Sequence, residues 1–584
     1  MNSRTAGILG WWREAVGAVI VLVSRILTAP HTPWENDEFL FAEAVRKFDP
    51  SLYHPHPPGY PLYVLLGKIV NVFTNDPWRA LVIVGIVAAP IGFVALARAF
   101  RHWIDDPDLA VSAALVYYFS ASMLVNGTLA LSDSPSIAFV ALALLAVSNI
   151  NDASHERAAL AVGIWASAAI GCRPQLVVAM LPMLAIALWQ MRTMRQRIAC
   201  VGAFTFVSLM WFLPLVDAAG GMQHLIAYET KQAEYFASHD AAMSRGSKSA
   251  AQIAIRFLLH PWGSKYVTIP LFLAMGLGLP FLWRRRRVLL PLFVFTAIQA
   301  IFELGWMDPA DGARYSLPLM IVFALAAGCG FDVIRRSANV RATPWIAAGV
   351  LAALSIWYAG PILASRTRGP SPVFAAATYA NQHFRPNTIV LYDLSMRPHA
   401  EYLMSRFRTA PVEKALADFY DRADVPLVLF ADGGSHAAEA HVFEWPDSDA
   451  YGKLTRNHYR VVTLEPIPPA ERYLPLSGVY ALERTVAGDS WRWLARDAVI
   501  RLPAAHLAHL AVTLRLSPDA PYDSNTATVN GARVVVTKQP VTVTIAAARD
   551  IAFHADQAFV PATVLHNQDP RILAVQLIRV VQSP

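Results

Sequence analysis

The stretch Leu81-Val82-Ile83-Val84-Gly85-Ile86-Val87-Ala88-Ala89-Pro90-Ile91-Gly92-Phe93-Val94-Ala95-Leu96-Ala97 carries no charge, and Arg79 and Arg98 flank it. A bilayer-crossing helix needs about 20 mostly apolar residues, so this run, extended over 78–100, reads as a membrane span. Outward from it, similar runs occur at 15–29, 108–126 and 128–149, as a pair within 157–190, and at 197–216, 265–283, 288–305, 313–334 and 343–361. The expected fold class is a polytopic α-helical membrane protein of about eleven spans. The Cys172-Arg173-Pro174 break makes the pair within 157–190 short.

Composition agrees: of 584 residues 55% are hydrophobic and 16% charged, with a mean hydropathy of +0.38, which excludes disorder and an ordinary soluble chain. Cys172, Cys200 and Cys329 all lie in apolar segments, so no disulfide framework is expected. The net charge of +7 sits largely in clusters at the ends of apolar runs: Arg4 and Arg13; Arg98 and Arg101; Arg192, Arg195 and Arg197; Arg284 to Arg287; Arg335, Arg336 and Arg341. Such clusters set orientation rather than bind nucleic acid. With the N-terminus inside, all five face the cytoplasm. Two long loops, 30–77 and 217–264, and the chain after 361 then fall outside, as expected of a multi-pass cell (inner) membrane protein whose first span is retained.

Phe39-Leu40-Phe41 and Leu62 to Leu66 suit helices lying on the membrane surface, and Tyr228, Tyr235 and Phe236 lie in the second loop. Loops of this length usually carry function, and together these two could roof a cavity. The tail reads first as mixed α/β over 362–485, with buried strands at Thr388 to Tyr392 and Pro426 to Phe430. From 486 to 584 it becomes a β-sandwich of short runs such as Leu510 to Leu516, Ala532 to Val536 and Leu573 to Ile578.

The densest polar constellation is Trp34-Glu35-Asn36-Asp37-Glu38, followed by His54 to Pro61. A carboxylate there suits proton abstraction from a hydroxyl, or else caps an amphipathic helix. Arg25, Arg173 and Arg314 are costly cations in or beside the bilayer, which points to a phosphate partner or to snorkelling and ion pairs between helices. Asp133, in Leu131-Ser132-Asp133-Ser134-Pro135, either faces the same cavity or is an N-cap with Pro135 in the first turn. Asp106-Pro107-Asp108 spells a metal-holding Asp-x-Asp pattern, but its place in a short cytoplasmic turn favours capping. No phosphate-cradling glycine loop or cofactor motif is present. His54 and His56 with a loop carboxylate leave a divalent metal as an open alternative.

The order Asp37-Glu38, His56-Pro57-Pro58-Gly59-Tyr60-Pro61-Leu62-Tyr63, Leu131-Ser132-Asp133-Ser134-Pro135 and Arg314-Tyr315-Ser316-Leu317-Pro318-Leu319 resembles the glycosyltransferase C superfamily, in the branch of protein O-mannosyltransferases and lipid A aminoarabinose transferases. The resemblance covers roughly the first 361 residues and implies inverting sugar transfer from a polyprenyl-phosphate donor to an extracytoplasmic hydroxyl of a glycan, lipid or protein acceptor. It further implies Asp37 as the base, Glu38 positioning sugar or acceptor, and Arg173, Arg314, Tyr315 and His56 around the carrier phosphate, with Asp133 and Arg25 in support. Having His56 where the aminoarabinose transferases carry a basic residue before two prolines is a departure. The terminal domain, with Trp491-Arg492-Trp493, Phe559-Val560-Pro561 and Asp569-Pro570-Arg571, resembles carbohydrate-binding sandwiches; a purely structural role is the alternative. The competing classes are a transporter or flippase of lipid-linked saccharide, against which the one-faced polar cluster and unpaired tail argue, and a non-catalytic glycan-binding membrane protein.

Overall fold

The computed structural model describes residues 11–583 other than 151–154, 240, 243–248, 446–447, 457–458, 504–507 and 566–568; Arg4 of the first basic cluster lies outside them. The chain forms two compact units, Met1–Gly369 with Asp447–Asn457, and Pro370–Pro446 with His458–Pro584.

The first unit is helical: α1 (Trp12–Leu27), α2 (Asn36–Arg46), α3 (Pro61–Thr74), α4 (Pro77–Ile104), α5 (Pro107–Tyr118), α6 (Ala121–Asn126), α7 (Asp133–Ser148), α8 (His155–Cys172), α9 (Val177–Gln190), α10 (Met194–Ala218), α11 (Met222–His239), α12 (Ala250–Leu258), α13 (Lys265–Arg284), α14 (Leu290–Trp306), α15 (Gly312–Tyr315), α16 (Met320–Ala338) and α17 (Thr343–Arg368). By length and composition four helices among the described residues suffice to cross a bilayer: α4, α10, α13 and the helix starting at Thr343. Pro309–Tyr315 with α16 is a further candidate, bent by 55°. The span expected at 108–126 is instead two helices of 12 and 6 residues, and that at 128–149 is one of 16, about 24 Å long at 1.5 Å per residue. Eleven full-length crossings are therefore not what length alone delivers.

The 108–126 run breaks because Ser120 Oγ accepts from Met123 N and starts a new helix. Both orphaned C-termini receive a buried arginine. Arg25 Nη2 donates to Tyr118 O at 2.5 Å, and Arg366 Nη1 to Val125 O at 2.6 Å. A cation at the negative end of a helix is favourable, more so when water is excluded. Arg25 is thus a cap inside the bundle and not part of the polar cluster described below. Arg366 also explains why α17 continues past 361: its last turn is anchored inside the unit.

The basic helix ends share one face. Arg98 and Arg101 meet Glu14 at 2.8 and 3.5 Å, Arg13 meets Asp108 at 2.6 Å, and Arg335 meets Asp106 at 2.8 Å. Asp106 also accepts from the backbone N–H groups of Asp108 and Leu109, the N-cap arrangement.

At the opposite end α2 turns inward. Phe39 and Phe41 are fully buried rather than surface-lying, whereas α3 exposes Leu65, Ile69, Val72 and Phe73 in one stripe at helical spacing. The two long loops meet at a buried cluster of Leu215, Ala219 and Leu225, against which Phe48 and Tyr228 both pack.

In the second unit a five-stranded sheet runs β2-β1-β3-β5-β4, with β1 (Ile389–Tyr392), β2 (Arg408–Pro411), β3 (Leu427–Asp432), β4 (His441–Glu444) and β5 (Val461–Pro466). Parallel β1, β2 and β3 are the α/β part, as the unbroken apolar runs suggest. The eight remaining strands form one hydrogen-bonded sheet, ordered β10-β9-β12-β7-β13-β8-β11 with β6 also on β7, where β6 (Leu474–Arg484), β7 (Ser490–Arg501), β8 (His509–Arg515), β9 (Ser524–Val529), β10 (Ala532–Thr537) and β11 (Val541–Ala546) come first in the chain. The first half of β7 pairs with β13 (Val575–Ser583) and its second half with β12 (Asp550–Ala555). The β-rich part therefore begins near Leu474, earlier than 486. Trp493 and Phe559 sit in its core with ring centroids 6.1 Å apart, and Arg571 is paired with Asp569 and Glu483. Trp491 is only partly buried beside this core.

Candidate active site

Asp37 and Glu38 are neighbours in the first turn of α2, so their side chains leave the helix about 100° apart. Glu38 points inward and is fully buried. Its carboxylate accepts from Trp34 N at 2.7 Å, Glu35 N at 3.0 Å, Trp78 Nε1 at 2.9 Å and Ala130 N at 2.9 Å. Four donors saturate it, so Glu38 locks the start of α2 to α4 and to the turn before α7, and has no free face for a sugar. Asp37 is thereby aimed the other way and keeps 31% of its side-chain surface.

Around Asp37 the expected residues converge. Arg314 Nη1 lies 3.3 Å from Asp37 Oδ2, while its Nε lies 2.9 Å from Asp133 Oδ2. Arg173 Nη1 donates to the other oxygen of Asp133. Asp133 is the first residue of α7 rather than its cap, and Ser132 precedes it without a side-chain capping bond; two guanidiniums take the carboxylate instead. Both guanidiniums lie over the Tyr315 ring, Arg173 at 5.7 Å and Arg314 at 5.8 Å from its centroid. His56 Nδ1 stands 3.9 Å from Asp37 Oδ1, beyond a hydrogen bond, with its ring against Phe41 and Tyr60. The turn carrying it needs Gly59: φ is +90°, and a Cβ there would fall 2.6 Å from Leu215 Cδ1.

Electrostatics follow the geometry. Burial pushes the Asp37 carboxyl upward, but His56, Arg314 and Arg456 outweigh it and hold the group below its ordinary 3.8. Burial depresses His56, aided by Arg314 and Arg173 against the pull of Asp37, so the imidazole is neutral at pH 7. Glu35, one residue outside α2, is pushed up to about 7 by burial and by Asp311, with Arg366 and Arg314 opposing.

Three participants are absent from the sequence reading, and a fourth stands there only as a member of the constellation around Asp37, with no role of its own. Asp308 and Asp311 precede Arg314, and Arg314 Nη1 is 3.7 Å from Asp311. Arg456 places Nη2 2.9 Å from Asp308 and Nε 2.9 Å from Asp311. Glu35 is the fourth. The Asp308, Asp311, Arg314 spacing of three was a readable signal of one shared face; Arg456 had none. Among the described residues no group of three or more His, Cys, Asp or Glu side chains is arranged to hold a metal ion.

Residues 55–216 match the dolichyl-phosphate-mannose-protein mannosyltransferase family, a range that includes His56, Asp133 and Arg173 but neither Asp37 nor Arg314. ArnT from Cupriavidus metallidurans bound to undecaprenyl phosphate is similar in structure, at 14% identity and a TM-score of 0.50 over 79% of this chain and 98% of that one. The archaeal oligosaccharyltransferase AglB from Archaeoglobus fulgidus, in complex with an inhibitory peptide and a dolichol-phosphate, matches at 9% identity and a TM-score of 0.44, over 94% and 96% of the two chains. The arabinofuranosyltransferase AftD from Mycobacteria matches at 10% and 0.42, over 98% of this chain and 58% of that one. No curated protein matches the chain in sequence.

Proposed function

We propose that the protein transfers a sugar from a polyprenyl-phosphate carrier to a hydroxyl group of a cell-envelope glycan, lipid or protein, with Asp37 as the general base. The observation that carries this reading is an ionised, partly open carboxylate held 3.3 Å from a buried guanidinium that is itself fixed by a second carboxylate. A general base must be unprotonated and accessible, and a carboxyl held below 3.8 that keeps 31% of its side-chain surface suits that role. The acceptor O–H gives its proton to Asp37 as its oxygen attacks the anomeric carbon from the face opposite the phosphate. The bond from that carbon to the phosphate oxygen breaks, and the carrier phosphate leaves with the electron pair. The sugar is inverted. Negative charge grows on the leaving phosphate, where Arg173 and Arg314, stacked on Tyr315 and preorganised by Asp133, stabilise it. Neutral His56 stands 3.9 Å from the base and adds no competing charge there.

In this reading the arginine-rich helix ends face the cytoplasm of the cell (inner) membrane, and the site opens on the other side together with the residues from Pro370 onward. The test is transfer of radiolabelled sugar from polyprenyl-phosphate donors in membranes, comparing wild type with Asp37→Asn at matched expression. Transfer lost only in the variant supports the reading; equal transfer in both removes Asp37 as the base.

A further inference from the structure

Residues 448–456 lie in the chain between β4 and β5, yet they are part of the helical unit. Ala450, Tyr451 and Leu454 are buried in the core cluster of the membrane helices. Tyr358 Oη donates to Asp449 Oδ2 at 3.1 Å, and Asn126 Nδ2 donates to Leu454 O at 3.2 Å. These anchors end at Arg456, whose guanidinium stands 2.9 Å from both Asp308 and Asp311. A segment this firmly seated delivers that one cation to a chosen place.

Charge balance shows what the cation does there. Arg314 faces three carboxylates, Asp133 at 2.9 Å, Asp37 at 3.3 Å and Asp311 at 3.7 Å. Arg173 is committed to Asp133. With Asp308 the cluster has four carboxylates against the three guanidiniums of Arg173, Arg314 and Arg456, an excess of one negative charge. Without Arg456 the excess doubles, in the place where an anionic phosphate has to enter, and Asp311 competes for Arg314.

We infer that Arg456 is a positioning residue of the donor site: by pairing with Asp308 and Asp311 it leaves Arg314 free to face Asp37, Asp133 and the lipid-linked phosphate. This rests on the reading of the function given above. Losing one unit charge at close range in a partly dry site is expected to weaken phosphate binding about tenfold.

The experiment is equilibrium binding of undecaprenyl phosphate to the purified full chain in detergent, for wild type, Arg456→Gln, Arg456→Lys, Lys453→Ala and the double variant Arg456→Gln with Asp311→Asn, each checked by thermal unfolding. Arg456→Gln should bind about tenfold more weakly, and Arg456→Lys, which keeps the charge, within about threefold of wild type. Removing the Asp311 charge in the Arg456→Gln background should recover most of the loss, a rescue that a merely structural role would not produce. Lys453, paired with Asp449 on the segment's surface, should be dispensable. Wild type that binds while Arg456→Gln binds equally well overturns this inference alone, as does a double variant that shows no recovery. Wild type that fails to bind the phosphate removes the underlying functional reading and this inference with it.

Discussion

The two ends of the helical unit both collect ionic side chains, but under different conditions. At the arginine-rich end the guanidiniums stay open to water even where two of them share Glu14: Arg98, Arg101 and Arg335 keep 50%, 45% and 24% of their side-chain surface. At the Asp37 end Arg173, Arg314 and Asp133 keep less than 10%, and one carboxylate is shared by two guanidiniums. Solvated pairs contribute little and are replaceable, whereas a buried shared charge becomes a liability once a partner is removed. The first end orients the chain; the second holds a fixed field.

Breaking the buried end should have the largest effect. Asp133→Asn leaves Arg173 and Arg314 side by side without their common counter-charge, and should cost about 3–5 kcal/mol of stability, read as a lowered unfolding temperature in detergent, with transfer lost as well. Asp37→Asn should separate chemistry from folding. Transfer should fall by about 10²- to 10⁴-fold while unfolding stays close to wild type, because Asp37 is the open member of the cluster.

Glu35 sharpens the comparison through pH. Its folded-state value of about 7 lies above the ordinary 4.5, so the folded protein prefers the protonated acid, and stability declines as pH rises from 4.5 towards 7 before levelling off. Glu35→Gln stays neutral. Its unfolding temperature should draw level with or exceed wild type increasingly between pH 5 and pH 8, by at most about 3 kcal/mol. For Asp37 the sign is opposite: the held-down carboxyl keeps the base ionised into acid. Arg456→Gln, by removing one of the cations that depress it, should move the acid limb of the transfer profile to higher pH. At the other end Arg285→Ala breaks the exposed pair with Asp105 and should change stability by no more than about 0.5 kcal/mol and leave transfer intact.

The sequence made much of this legible where cost leaves a trace. Arg173 and Arg314 stand out because a cation in an apolar run demands an explanation, and Asp37, His56, Asp133 and Tyr315 lie near helix ends that the topology brings to the same side. Glu38 and Arg25 were misread for a common reason. Each is satisfied largely by backbone groups, Glu38 by the amides of Trp34, Glu35 and Ala130 and Arg25 by the carbonyl of Tyr118, and backbone partners carry no sequence signature. The helix break at Ser120 was not legible, since hydropathy sums residues and does not register a new cap. Arg456 was out of reach because nothing local distinguishes a surface arginine of the tail from one carried into the membrane unit by Ala450, Tyr451 and Leu454.

That insertion also orders events in time. The last membrane helix ends at Arg368, but Arg456 is synthesised only after β1 to β4 have emerged. A nascent chain with all its membrane helices in place therefore still lacks the cation that Asp308 and Asp311 face. On the proposed chemistry, the donor site binds its phosphate weakly until most of the α/β sheet has been made.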